Sequence, residues 1–180
     1  MMQRRLLLSA AVAAPVVLSG CANQSLDSYA SEKPVLDLAR YFNGKIDAWG
    51  IFQDRSGQIV KRFTVVMDCQ WQGSEGVLDE AFTYSDGTTQ RRAWRLTQHA
   101  DGRTTGTADD VVGTAHGQAR GNVFRWNYTL ALPVDGTVYH VDLDDWMVLI
   151  DDRVMLNRAT MSKFGVRLGE ITLSFTRRAP

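Results

Sequence analysis

His140, Asp142, Asp144 and Asp145 crowd one short stretch, and Arg158 stands downstream among apolar residues. On an extended chain His140, Asp142 and Asp144 alternate onto one face, where imidazole and carboxylates could converge on a hard or borderline cation. The opposite face carries Tyr139, Val141 and Leu143. That phase turns the acidic face to water, so a solvated outer face is the expectation and no metal is assigned. At Asp145-Trp146-Met147 the apolar and acidic residues exchange faces, which a bulge would explain. Asp145 would then point inward and need a partner.

Arg158 shares a face with Val154, Leu156 and Thr160. An inward guanidinium is costly unless paired, so a buried pair with Asp145 or Asp142 is expected. Such a pair could register the interior. Alternatively, the fork of donors on Arg158 could hold the carboxylate or phosphate of an amphipathic ligand. The 5 tryptophans, Trp49, Trp71, Trp94, Trp126 and Trp146, fall in separate extended segments. Indole rings can line an apolar pocket or fill it. The candidate ligand-binding set is Trp49, Trp94, Trp126, Tyr128, Tyr139, Asp145 and Arg158.

Catalytic templates do not match. There is no Gly-x-Ser-x-Gly elbow, and Gly73-Ser74-Glu75-Gly76 lacks a nominated base. His99, His116 and His140 are far apart, and there is no phosphate-cradling glycine loop or zinc motif. No catalytic residue and no cofactor is nominated, and an enzyme is the less favoured class. The whole chain has 20 basic and 20 acidic side chains with no polybasic patch, so nucleic acid is not an expected partner.

One cysteine does have an assigned chemistry. Arg4 and Arg5 precede an apolar run, Leu6 to Leu18, which ends in Leu18-Ser19-Gly20-Cys21. The run is too short to span a hydrocarbon core that needs about 20 residues, but it has the length and flanks of a signal-peptide core. Leucine, two small residues and cysteine form a bacterial lipobox, in which the thiol carries the lipid. Residues 1–20 are expected as the lipoprotein signal peptide, and 21–37 as the lipidated N-terminus and tether. Acylation with palmitate-like chains at Cys21 would make the membrane a permanent partner. Ala22 follows where an aspartate would signal retention, so an outer-membrane site facing the periplasm is expected. Removing the leader arginines leaves a net charge of −2. Cys69 then has no partner for a disulfide; its alternation with Phe63, Val65, Met67 and Trp71 predicts an inert core thiol.

Something must position these side chains, and period-two alternation dominates after a short helical turn at Val35 to Tyr41. Nine strands are predicted: Gly44–Gln53, Ile59–Trp71, Gly76–Tyr84, Gln90–His99, Thr104–Val112, Gly117–Leu132, Thr137–Ile150, Val154–Ser162 and Val166–Thr176. The turns between them include Asp86-Gly87, Asp101-Gly102 and Asp135-Gly136. One-sided strands joined by hairpin-length loops bury their faces and lose their edges by closing on themselves. The expected fold is an all-β, antiparallel up-and-down barrel of 8–10 strands spanning residues 38–180.

Several runs sharpen this. "YFNGKIDAWGIFQDRSG" (Tyr41–Gly57), "YSDG" (Tyr84–Gly87), "GTADDVVGTAHG" (Gly106–Gly117), "LDDWM" (Leu143–Met147) and "LNRATMSKFGVRLGEITL" (Leu156–Leu173) resemble a family of proteobacterial lipoproteins. That family is classed as a domain of unknown function and grouped with the lipocalin-like (calycin) barrels. The resemblance implies the barrel and the anchorage, and no activity. By the calycin habit, Trp49 would stack on Arg177 to close one barrel end. The first strand departs from the lipocalin Gly-x-Trp signature, because Asp47-Ala48 precede Trp49. The expected function is binding of an apolar or amphipathic small molecule such as a fatty acyl lipid. The alternatives are an envelope module that docks a protein and a barrel enzyme acting on lipid.

Overall fold

The computed structural model describes residues 24–179, so Cys21 and the leader lie outside the described residues. Ten strands follow a short helix, α1 (Leu38–Tyr41): β1 (Gly44–Asp54), β2 (Ile59–Gln72), β3 (Glu75–Tyr84), β4 (Thr89–Gln98) and β5 (Arg103–Thr107), then β6 (Val111–Arg120), β7 (Val123–Val134), β8 (Thr137–Leu149), β9 (Val154–Lys163) and β10 (Val166–Arg177). Each pairs antiparallel with its sequence neighbour, and β10 pairs with β1 to close the barrel. The fold is therefore the expected up-and-down barrel. The ten strands and α1 all lie within residues 24–179, so that segment carries a complete core.

Alternation explains the wall. On β2, Phe63, Val65, Met67 and Cys69 are buried while Thr64, Val66 and Gln70 are exposed. Burying a large apolar side chain contributes about 1.5–3 kcal/mol, and Ile46, Met67 and Met155 are fully buried. The interior is tight enough that aromatic rings lie directly on glycines. A Cβ at Gly106 would fall 2.9 Å from the Trp126 ring, and one at Gly50 would fall 2.5 Å from the ring of Phe63.

Nine strands were expected and ten are present. The stretches read as Thr104–Val112 and Gly117–Leu132 divide into β5, β6 and β7. A tight turn at Ala108-Asp109-Asp110 closes with Val111 N–H donating to the Ala108 carbonyl at 3.0 Å. A second turn at Gly121-Asn122 is made possible by Gly121 at φ 53°. Neither turn carries the Asp-Gly signature of Asp86-Gly87, Asp101-Gly102 and Asp135-Gly136.

α1 plugs one end of the barrel. The Asp37 side chain accepts from Arg40 N–H at 3.0 Å and caps it. The Tyr41 hydroxyl donates to the carbonyls of Arg153 and Phe175 at 3.1 and 3.2 Å, and Leu36 N–H reaches the Gly121 carbonyl at 2.8 Å. Residues 26–37, expected as part of the tether, instead follow the barrel wall. A 3₁₀ turn spans Leu26–Tyr29, and Arg120 pairs with Asp27 at 3.3 Å.

The opposite end is different. Its hairpins expose Ile59, Val60, Val134, Val138, Phe164 and Val166. Phe164 is 91% exposed and adopts φ 51°, in a two-residue turn position that ordinarily takes Asn or Asp. The neighbouring hairpin places Asp135 there, at φ 49°.

Candidate functional site

The barrel encloses a cavity of about 120 Å³ that reaches from the floor at Leu38 and Phe42 to a polar group high on β3 and β4. Its wall is aromatic. Trp94 meets Trp126 and Tyr128 edge-on, at ring-centre separations of 5.5 and 5.2 Å, and Phe124 stacks on Trp126 at 5.5 Å.

The polar group is built by alternation. On β3, Leu78, Glu80 and Phe82 point inward together, and on β4 Arg92 shares the inward phase of Trp94 and Leu96. The Arg92 fork grips Asp110 in the β5–β6 turn: Nη2 donates at 2.7 Å and Nε at 2.9 and 3.0 Å. Glu80 lies 3.8 Å from the same guanidinium, which also sits 5.6 Å over the Phe82 ring. Gln90 extends the layer, donating to Asp110 at 3.2 Å and accepting from the Tyr84 hydroxyl at 2.8 Å.

Facing this group across the cavity are Asp145 on β8 and Asn157 on β9, diagonal neighbours in the strand pairing. Asp145 Oδ1 and Asn157 Nδ2 are buried with no hydrogen-bond partner among the described residues. An orphaned buried polar group costs about 1–3 kcal/mol. Burial pushes the Asp145 carboxyl up to about 8, against the opposing pull of Arg92, and Asp144 and Glu80 raise it further. Burial pushes Glu80 up to about 7, again opposed by Arg92. Burial likewise raises the Tyr128 hydroxyl well above its ordinary value. Burial works against the Arg92 charge, but its bonds to Asp110 together with the charges of Tyr128, Glu80 and Asp110 outweigh this and hold the guanidinium protonated. Burial thus favours the neutral forms of Asp145 and Glu80, beside the ion pair between Arg92 and Asp110.

Of the predicted set, Trp94, Trp126, Tyr128 and Asp145 line the cavity. Asp145 arrives there without a bulge. The pairing of β8 runs unbroken through it, and Leu143, Asp145 and Met147 share one face. Trp146 turns outward, with the Arg125 guanidinium 5.0 Å over its ring. Arg158 is not the partner of Asp145. The register of β9 points Met155, Asn157, Ala159 and Met161 inward, so Arg158 faces out, where Nε and Nη2 donate to Glu170 at 2.6 and 2.7 Å. Trp49 is 52% exposed on the outer wall between Thr64 and Ser174, and Arg177 donates to the Asp152 carbonyl at 3.4 Å, so the expected stack does not form. Tyr139 lies at the open rim, with Lys163 Nζ 5.7 Å from its ring centre.

His140, Asp142 and Asp144 do face solvent. Asp144 accepts from Arg125 at 2.7 and 2.9 Å and from Asn127 at 2.8 Å, and Asp142 accepts from Thr129 at 2.8 Å. Among the described residues no group of three potential ligands converges on a metal position. Cys69 is buried in the core, and burial pushes its thiol up to about 12. Sequence reasoning missed Glu80, Arg92 and Asn157, and did not pair Asp110 with Arg92. The signal for two of them was present in Leu78-x-Glu80-x-Phe82 and Arg92-x-Trp94-x-Leu96, where a charge keeps step with apolar neighbours.

Residues 15–177 match the family model described as a protein of unknown function, DUF3833, and the chain belongs to that family. No curated protein matches it. Among solved structures, the chain is similar to an S-type phycobiliprotein lyase, CPES, from Guillardia theta, with a TM-score of 0.57 and 6% identity over 78% of this chain and 90% of that one. It is also similar to EF1p2_mFAP2b bound to DFHBI, with a TM-score of 0.46 and 11% identity over 84% of this chain and 99% of that one. A de novo designed fluorescence-activating β-barrel gives a TM-score of 0.43 and 14% identity over 79% of this chain and 99% of that one. At such identities the likeness is one of fold.

Proposed function

We propose that this member of the DUF3833 family is a lipid-anchored protein of the bacterial cell envelope whose barrel takes up an apolar or amphipathic small molecule. The observation that carries the reading is the cavity: an aromatic wall with unpartnered polar groups set into it. Orphaned groups at Asp145 and Asn157 cost stability in the empty barrel, and a ligand that bonds them recovers that cost. The volume of about 120 Å³ lies below the roughly 300 Å³ at which pockets enclose a drug-sized molecule. It is close to the roughly 150 Å³ cavity that takes up benzene. The barrel therefore encloses a small molecule, or one end of a fatty acyl chain, rather than a whole lipid. Lipidation at Cys21 in the outer membrane, with the domain in the periplasm, is the location that the leader chemistry supports.

Native mass spectrometry of the protein purified gently from its own bacterium, followed by organic extraction, tests this. A defined small molecule released in stoichiometric amount is expected. A barrel that is empty, and that takes up neither benzene nor fatty acids, would sink the reading.

Two observations favour other readings. Asp145 and Glu80, held near 8 and 7, have the proton affinities of general acids working at neutral pH, which favours a barrel enzyme acting on lipid; turnover lost in Asp145→Asn would establish it. The exposed apolar hairpins, with Phe164 at their tip, favour docking of a protein partner.

A further inference from the structure

The polar lining of the cavity is unevenly charged, and this restricts what it accepts. Among the described residues its lining holds one guanidinium, Arg92, against two carboxyls, Glu80 and Asp145. The guanidinium is already engaged, because its fork is closed on Asp110. An anionic headgroup would add a further carboxylate to a site whose single cation is taken. A cationic headgroup has no lone pair to accept from Asn157 Nδ2, which would stay unpartnered.

The unsatisfied atoms point the same way. Asn157 Nδ2 has a proton to give and Asp145 Oδ1 has a lone pair to fill, and neither has a partner among the described residues. They sit diagonally on paired strands, Asp145 opposite Ala159 and Asn157 opposite Met147. Diagonal side chains on paired strands stand roughly 7–8 Å apart at the backbone and reach toward each other. A hydroxyl satisfies both at once, accepting from Asn157 and donating to Asp145. A carboxamide does so through its carbonyl oxygen and its amino group.

We infer that the barrel selects an amphipathic ligand by an uncharged polar end, an alcohol or an amide, bonded between Asp145 and Asn157 with its alkyl or ring portion against Trp94 and Trp126. Free carboxylates are rejected. This rests on the cavity-binding reading above and narrows it, moving the ligand class from free fatty acids to neutral alcohols and amides. The upward push of burial on the Asp145 carboxyl agrees with it, since a neutral carboxyl can both give and take a hydrogen bond.

The experiment titrates residues 24–180 with 1-hexanol, hexanamide, hexanoate and hexylamine at pH 7, read by the indole N–H NMR signals of Trp94 and Trp126, with benzene as an apolar control. Hexanol and hexanamide are expected to bind at least tenfold tighter than hexanoate and hexylamine. In Asn157→Leu and Asp145→Leu the ratio of alcohol and amide affinity to hexanoate and hexylamine affinity should fall at least fivefold, a ratio in which any change in overall cavity affinity cancels. Benzene binding with hexanoate or hexylamine equal to or tighter than hexanol would overturn this inference and leave the cavity reading standing. Failure of all five probes, benzene included, would overturn both. Should either leucine variant not fold, the four-headgroup comparison on the unaltered chain decides the matter alone.

Discussion

Two arginine forks in this barrel make nearly the same bonds in opposite surroundings. Arg158 grips Glu170 on the outer wall at 2.6 and 2.7 Å, with 68% of its side chain exposed. Arg92 grips Asp110 inside the rim at 2.7 to 3.0 Å, with only 13% exposed. The outer cluster is complete, because Arg167 also reaches Glu170 at 2.7 Å, so that the buried Glu170 carboxylate is bonded by two guanidiniums whose own side chains are exposed. The inner cluster leaves Asp145 and Asn157 orphaned across a cavity. Bond lengths therefore do not distinguish structure from site; burial and unmet hydrogen bonds do. An exposed pair contributes about 0–1 kcal/mol, whereas removing one member of a buried pair costs about 3–5 kcal/mol.

The sharpest way to break this contrast is Arg92→Leu, which strands Asp110 and Glu80 in a dry wall. It should cost about 3 kcal/mol or more and lower the melting temperature by about 10 °C; a loss under 1 kcal/mol in urea unfolding would put the two forks on one footing. Next comes Asp145→Asn. A carboxyl whose folded value exceeds its unfolded one binds more protons when folded, so stability falls as pH rises between the two values. For Asp145 that window runs from 3.8 to about 8, and for Glu80 from 4.5 to about 7. The unaltered chain should therefore lose stability up to about pH 8. Asp145→Asn should stop losing it by about pH 7 and should exceed the parent in stability at pH 9. Superimposable pH–stability curves would remove Asp145 from the account.

Asn157→Leu replaces an unsatisfied amide with an apolar side chain of the same branching, whose extra bulk the adjoining cavity can take, and should be neutral or stabilising by about 1 kcal/mol; a clear destabilisation would mean that its amide is bonded after all. Smallest is Glu170→Gln, expected to cost under about 1 kcal/mol and to lose even that in 1 M salt. Chemical denaturation at two salt concentrations checks it.

Much of the architecture was legible in the sequence. Alternation in Val123–Leu132 and Tyr139–Leu143 fixed which faces go inward, and closure followed from one-sided strands with short loops. The site was legible only in part. Trp94, Trp126 and Tyr128 sit in strands whose phase is unambiguous. Arg158 sits in a strand whose two faces, Val154-Leu156 and Met155-Met161, are both apolar, so only pairing with β8 and β10 decides the phase. The inward position of Asp145 needed no bulge, because a barrel tolerates an acid in an apolar row where a cavity lies behind it. The pairing of Asp110 was out of reach for a different reason: it meets Arg92 where the β5–β6 turn lies beside β4, past the last β4–β5 pair at Arg95 and Thr107, a contact that no strand alternation marks.

The most direct measurement is an NMR titration of residues 24–180 with benzene, following the five indole N–H signals of Trp49, Trp71, Trp94, Trp126 and Trp146. Saturable shifts at Trp94 and Trp126, with Trp49 and Trp146 unmoved, are the predicted result. No saturable shift, or shifts led by Trp49 on the outer wall, would contradict the claim that the barrel interior is where this protein binds.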